Sequence, residues 1–288
     1  MKQIQWYPGH MAKTKRQIKE KVTLIDVVIE LVDARIPFSS MNPVLRDMIG
    51  NTKKLIVMNK ADLANQEELK KWQAHFEKKG VPSIFVNAQS GKGMNQLLPV
   101  MKDMLKTERE KALAKGKILR PIRAMVLGIP NVGKSTFINQ LANKKKLVTG
   151  DRPGVTKQTQ YIRIEKDLEI LDTPGILWPK FTDEDVAFKL ALIGAIKDNI
   201  LPIDDVVIYG LRFLAKHHLN ALNNKYDVDI DIEDIVGTLD QIGKARGCIK
   251  RGNQIDYDRV YNLFLNDFRH EGFGKIILDK VEDQDVSV

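Results

Sequence analysis

Cysteine is almost absent. The single residue, Cys248, excludes an internal disulfide framework and any multi-cysteine metal site. Long apolar runs are absent as well. The best stretch, Leu24 to Val32, is short and carries Asp26 and Glu30, far from the roughly 18 uncharged apolar residues of a membrane span. The opening residues, MKQIQWYPGHM, hold no apolar signal core, so nothing argues for secretion and a cytoplasmic protein with no membrane partner is expected. There is no internal repeat and no long low-complexity tract. Aromatic residues make up 7%, and they show no pattern of the kind that reads unpaired RNA bases.

What is present suits a folded chain. Of 288 residues, 43% are hydrophobic and 29% charged, enough for a packed core in one large domain or two ordinary ones. The net charge of +9 hides an asymmetry: residues 1–180 carry 33 Lys/Arg against 17 Asp/Glu, and residues 181–288 carry 13 against 20. The basic part suits a polyanionic partner, although charge alone does not separate this from a solubilising lysine surface.

Strand-like runs occur at Val27–Val32, Lys54–Met58, Ser83–Val86 and Ala124–Leu127, and an antiparallel pair is expected from Tyr161–Ile164 and Leu168–Leu171. Helical spacing lies between them at Asn42–Met48, Gln66–Lys79, Met94 to about Ala114 and Ser135–Ala142, with a charged helix end and linker over residues 107–120. This alternation predicts an α/β domain with a mostly parallel sheet. From Thr182 onward the pattern is helical, at Asp185–Asn199, Asp204–Leu222, Ile232–Arg246 and Asp256–Glu271. The expected division is therefore 1–180 for an α/β domain with a basic N-terminal segment and 183–288 for a smaller all-α domain.

Gly128-Ile-Pro-Asn-Val-Gly133-Lys134-Ser135 fits the phosphate-loop pattern, with a strand before it and a helix after it. Glycines let successive N–H groups turn toward phosphates at a helix N-terminus. Asn131, Val132, Gly133, Lys134, Ser135 and Thr136 are the expected phosphate-side contacts, with Lys134 neutralising charge and Ser135 binding Mg²⁺. Asp172-Thr-Pro-Gly175 follows a strand. Asp172 suits Mg²⁺, the Gly175 N–H suits the γ-phosphate, and Thr156 is a candidate Mg²⁺ ligand and switch residue. Base identity is assigned to Asn59-Lys60-Ala61-Asp62. The Asp62 carboxylate can accept from guanine N1–H and N2–H₂, which adenine cannot offer. Asn59 braces that loop, Lys60 lies over the base, and in Asn87-Ala88-Gln89-Ser90 the Ala88 N–H is a candidate donor to guanine O6.

The order is unusual. Guanine-nucleotide switches ordinarily run phosphate loop first and base loops last. Here residues 59–62 and 87–90 precede residues 128–135 and 172–175. Each loop still ends its own strand, so one site can assemble at the carboxyl edge of the sheet. With Trp6-Tyr-Pro-Gly-His-Met11, Asp33-Ala-Arg-Ile-Pro37 and these motifs in this order, the chain resembles the circularly permuted GTPases, and within them the bacterial ribosome-assembly members. The resemblance spans most of the chain and is weaker over the helical part. It implies a GTPase that binds GTP and GDP and acts late in assembly of the large (50S) ribosomal subunit, with rRNA and ribosomal proteins as partners and hydrolysis as the step of release. A monomer is expected.

The residue after Gly175, where many GTPases place a water-orienting glutamine, is Ile176. Apolar side chains cannot orient water, so catalysis must come from elsewhere. His10 is the candidate, because imidazole donates or accepts at physiological pH, and the resemblance implies that this histidine acts once docked on the subunit. Asn131 resembles the asparagine of potassium-stimulated GTPases, which adds K⁺ to GTP and Mg²⁺ as an expected cofactor. Candidate RNA-phosphate contacts are Lys13, Lys15, Arg16, Lys19, Lys21, Lys144, Lys145 and Lys146, then Lys244, Arg246, Lys250 and Arg251 against an acidic background. Two other functions fit the motifs without the resemblance: a GTP-binding regulatory module with a protein partner, and a GTPase of transfer-RNA modification or another RNA task. Residues 59–62 disfavour a metabolic phosphate-loop kinase.

Overall fold

In the computed structural model the described residues are 16, 18–143, 161–171, 183–196, 198 and 201–283. They fall into two compact units. One contains residues 183–278; the other contains 16–171 together with 279–283.

The α/β unit is built on a six-stranded sheet. Its strands are β1 Val27–Asp33, β2 Lys53–Asn59, β3 Ser83–Phe85, β4 Ile122–Gly128, β5 Tyr161–Glu165 and β6 Leu168–Leu171, in the order β3-β2-β1-β4-β6-β5. All neighbours are parallel except β5 and β6, which pair antiparallel as expected. Every residue of β1 is buried, consistent with a central parallel strand covered on both faces. Below it, Ile18, Val22, Ile25, Leu45, Met48 and Ile49 pack against Val28, Met125 and Leu127.

The helices are α1 Leu45–Ile49, α2 Gln66–Lys78, α3 Leu97–Met104, α4 Lys106–Ala114 and α5 Lys134–Asn143. In α2, Leu69, Trp72 and Phe76 form the buried stripe, and the Asn65 side chain caps the N-terminus by accepting from the Glu67 and Glu68 N–H groups. The expected helix from Met94 to about Ala114 is instead a 3₁₀ turn at Met94–Gln96 followed by α3 and α4, with a non-helical Leu105 (φ −101°, ψ 8°) between them. Its apolar stripe, Leu97, Met101 and Leu105, ends there. Beyond that point no residue of α4 is buried, so no packing force keeps the two helices collinear. The expected helix Asn42–Met48 shrinks to α1, because Pro43 disfavours helical geometry at Asn42, whose side chain instead accepts from the Val44 N–H (3.1 Å).

The second unit holds α6 Glu184–Leu192, α7 Ile203–Tyr226, α8 Ile235–Ala245 and α9 Tyr257–Arg269. Asp183, Asp234 and Asp256 cap α6, α8 and α9 through side-chain oxygens. In α7, which bends at His218, Gly210 lies so close to α9 that a Cβ there would meet Phe264 Cε1 at 2.7 Å. Two corrections apply. The unit is not wholly helical, because β7 Ile249–Lys250 and β8 Gln254–Ile255 form a short antiparallel ribbon. It also ends at residue 278 rather than 288, the following residues belonging to the α/β unit.

The reason for the second correction is Asp279. Its side chain is fully buried and accepts from the Phe38 N–H (2.9 Å), the Ser39 N–H (2.8 Å) and the Ser39 hydroxyl (2.7 Å). The Trp72 indole N–H donates to the Asp279 carbonyl (3.3 Å). Asp279→Ala removes all three side-chain hydrogen bonds and leaves buried N–H groups unpaired, at a cost of about 2–4 kcal/mol. Asp279→Asn keeps one carbonyl acceptor and is expected to lose less. Urea unfolding followed by intrinsic fluorescence measures both, and equal stability of wild type and Asp279→Ala would contradict the assignment.

Candidate functional site

Because β1, β2, β3 and β4 run parallel, the loops that leave them gather at one sheet edge. Asp33 lies opposite Asn59, and Leu31 opposite Gly128. The loop after β4 runs from Gly128 to Lys134, where α5 begins. Its glycines are dictated by crowding. A Cβ on Gly128 would lie 2.7 Å from the Leu31 carbonyl oxygen, and one on Gly133 (φ +92°) would lie 2.5 Å from Asn59 Nδ2. Val132 is buried beneath the loop, while Asn131 (φ +58°) is exposed and left-handed. Ser135 and Thr136 are exposed on the first turn of α5, and Lys134 is half-buried there. The open first turn of a ten-residue helix carries N–H groups without intrahelical partners, an arrangement that fits phosphate.

The base-reading loop is bonded to the phosphate loop. Asn59, the last residue of β2, is 2% exposed. Its Nδ2 donates to the Val132 carbonyl (2.9 Å), and its Oδ1 accepts from the Ala88 N–H (3.0 Å). Lys60 adopts φ +60°, and its ammonium donates to the Asn131 carbonyl (2.9 Å). Asp62 lies in the following 3₁₀ turn, Ala61–Leu63, whose first N–H is held by the Val86 carbonyl (3.0 Å). The Asn87 side chain accepts from the Ser90 N–H (2.9 Å), which closes the loop after β3. Asn59 thus ties the Val132 carbonyl and the Ala88 N–H, the expected donor to guanine O6, to the end of β2.

In the sequence Asp33 and Arg35 stand out only as members of the motif Asp33-Ala-Arg-Ile-Pro37. The structure places them at the centre of the edge. Arg35 Nε reaches Asp33 Oδ1 and Arg35 Nη2 reaches Asp33 Oδ2, both at 2.9 Å, while Lys60 Nζ lies 3.0 Å from Oδ2. Burial by itself would raise the Asp33 pKa, but the two cations and the hydrogen bonds from Arg35 outweigh it and hold the carboxyl far below the usual range. Burial likewise disfavours charge on Arg35, yet Asp33, with a further contribution from the charge of Asp62, raises its pKa. The available signal was a carboxylate ending the apolar run VVIELV: a charge there has to be buried, and a buried charge needs a partner.

His10, Lys13, Lys15, Thr156, Asp172 and Gly175 lie outside the described residues, as do Lys144, Lys145, Lys146 and Ile176. The candidate Mg²⁺ set is therefore represented by Ser135 alone, and among the described residues no group of three or more His, Cys, Asp or Glu could hold a metal. Arg16 is exposed and pairs with Glu20 at 2.9 Å. Lys244, Arg246, Lys250 and Arg251 are exposed on the last turn of α8 and the ribbon after it. Two of them have protein partners. Arg246 donates to the Lys225 carbonyl and lies over the Tyr226 ring, and Lys250 meets Asp256 at 3.3 Å.

The comparisons with known proteins agree with this geometry. The family described as "50S ribosome-binding GTPase" matches residues 123–235. Ribosome biogenesis GTPase A of Bacillus licheniformis is 50% identical over 280 residues, 97% of this chain and 99% of its own. The GDP-bound structure of TM YlqF matches with a TM-score of 0.67 and 27% identity, over 93% of this chain and 100% of that one. GNP-bound YlqF from T. maritima matches with a TM-score of 0.63 and 26% identity, over 93% and 98%. The protein is a GTPase that takes GTP and GDP, and the chain belongs to the ribosome biogenesis GTPase A family.

Proposed function

We propose that this GTPase binds the assembling large ribosomal subunit in its GTP form and leaves on hydrolysis. The observation that carries the reading is the pair of bonds from Asn59 and Lys60 to the Val132 and Asn131 carbonyls. They join a guanine-reading loop to a phosphate loop, which makes one site for one nucleotide. The subunit enters through the relatives named for ribosome biogenesis and through the basic side chains exposed on the helical unit, Lys244, Arg246, Lys250 and Arg251. These bind rRNA phosphates by charge, with recognition by shape. One chain carries every motif of the site, so a monomer suffices, and an assembly partner of this kind places the protein in the cytoplasm.

In this reading Asp62 accepts the guanine N1–H and N2–H₂, Lys134 neutralises phosphate charge, and the Gly175 N–H meets the γ-phosphate. Mg²⁺, held by Ser135, Thr156 and Asp172, with K⁺ at Asn131, supplies further charge neutralisation. Ile176 contributes nothing to water orientation, so free protein hydrolyses GTP slowly. His10 takes that role in the docked protein, since holding a group already on the chain in a reactive geometry gives a large rate gain.

Guanine selectivity is tested with Asp62→Asn. Loss of two charge-assisted hydrogen bonds is expected to weaken GDP binding about a hundredfold and to shift preference toward xanthosine diphosphate, whose O2 pairs with an amide. Equal affinity of the native protein for ADP and GDP would end the guanine reading.

Catalysis is tested by single-turnover hydrolysis with and without purified large subunits. His10→Ala is expected to lose about a hundredfold of the stimulated rate while keeping GTP binding and subunit association. Undiminished stimulation would transfer the role to an rRNA or ribosomal-protein group.

Subunit association is expected to be favoured by GTP and to weaken about tenfold or more between roughly 50 and 200 mM salt. Replacing Lys244, Arg246, Lys250 and Arg251 together by Gln should reduce both the affinity and its salt dependence, with GTP affinity unchanged. Binding that ignores ionic strength would contradict the phosphate-contact argument.

A further inference from the structure

The Lys60 ammonium is shared between two acceptors. One is the Asn131 carbonyl on the phosphate loop at 2.9 Å; the other is the Asp33 carboxylate at 3.0 Å. Asp33 does not need Lys60 for its own burial. Arg35 already grips both carboxylate oxygens through its guanidinium and adds its backbone N–H to Oδ1 at 3.1 Å. Asp33 is itself fixed from behind, because its N–H donates to the Ser40 hydroxyl (3.0 Å), which donates to the Ile36 carbonyl (2.6 Å). The more flexible partner gains the most. A lysine side chain carries large rotamer freedom, and one that must be ordered when a ligand arrives weakens binding. Here the two acceptors order the ammonium.

We propose that Asp33 is a positioning residue for guanine-nucleotide binding: its buried carboxylate fixes Lys60 against the phosphate loop before nucleotide arrives, and Asp33 thereby sets how tightly and how long GDP is held. This rests on reading residues 59–62 and 128–135 as the guanine-nucleotide site. Asp33 does not touch nucleotide in this mechanism and acts through Lys60. The same carboxylate also holds Arg35, on which the Asp62 charge acts, so the base-reading turn has both of its flanking cations tied to one anchor.

The test is a double-mutant cycle on the full chain, read as GDP affinity and GDP dissociation rate. Asp33→Asn alone leaves Arg35 buried without its partner, and such a variant is at risk of not folding. The cycle is therefore run in the Arg35→Met background, where neither member of that pair is left charged when both are changed. In this background Asp33→Asn is expected to raise the GDP Kd by about three- to tenfold, mostly through faster dissociation, the scale of one long side chain left to be ordered. With Lys60→Met also present, the same Asp33→Asn step is expected to change the Kd by less than about 1.5-fold, as coupled residues require.

Thermal unfolding of the nucleotide-free proteins separates the alternatives. A structural role lowers stability and GDP affinity equally with and without Lys60, and that result would overturn the proposal, as would an unchanged Kd on Asp33→Asn. A native protein that does not prefer GDP over ADP would remove the site reading itself. Preference for GDP with an additive cycle removes only the role of Asp33.

Discussion

The site depends on one carboxamide. Asn59 donates to the Val132 carbonyl and accepts from the Ala88 N–H, so a single side chain joins the loops after β2, β3 and β4. Only an amide supplies a donor and an acceptor at that reach. Aspartate would face the Val132 carbonyl with a second acceptor, and a hydroxyl side chain is too short to span both. The bond also explains a residue far away in sequence, because Nδ2 occupies the space a Cβ on Gly133 would need. The phosphate-loop glycine and the base-loop asparagine therefore fix each other's identity.

This mutual dependence is indifferent to chain order. In a parallel sheet each loop is placed by the strand it leaves, and register rather than sequence separation decides which loops meet. Here β1 pairs with both β2 and β4, which brings residues 59 and 128 to the same edge. Rotating the order changes only the connections. One new connection is α4 with the stretch after it, tied down where Arg120 reaches both carboxylate oxygens of Asp26 at 2.8 Å. The chain also leaves the α/β unit near residue 180 and returns to it at Asp279, so the helical unit is an insertion in that unit rather than a tail. Asp172–Gly175 immediately precede that departure in the sequence.

Much of this was legible in the residues. The apolar run VVIELV, the period of Leu69, Trp72 and Phe76, and the glycine spacing at 128 and 133 state their structures locally. Other features were not legible, for physical reasons. The break at Leu105 depends on where packing stops, which is a tertiary fact. The ribbon at Ile249–Ile255 has strands of two residues, too short for any periodicity. Asp279 carries no local signal because its partners, Phe38 and Ser39, are remote in sequence, and of the two cations on Asp33 only Arg35 is near it in the chain, Lys60 being remote.

The segment from Asp33 to Asn42 contains no helix or strand beyond its first residue, yet most of it is buried. Regular structure normally pairs the polar groups of a buried backbone. Here carbonyl oxygens take the Ala34, Ile36, Ser40 and Met41 N–H groups, and three carboxylates take four more: Glu30 accepts the Asn42 N–H, Asp33 the Arg35 N–H, and Asp279 the Phe38 and Ser39 N–H groups. Their charge states differ by neighbourhood. Burial pushes the Glu30 carboxyl up, only partly offset by Lys54 and the Asn42 N–H, whereas Asp33, with two cations on it, stays far below the usual range. A loop held this way has little room to adjust one contact at a time, since each carboxylate serves several donors and each donor lost leaves a buried polar group unpaired. The Asp33 end of this loop, with Lys60 tied to it, is therefore set when the α/β unit folds.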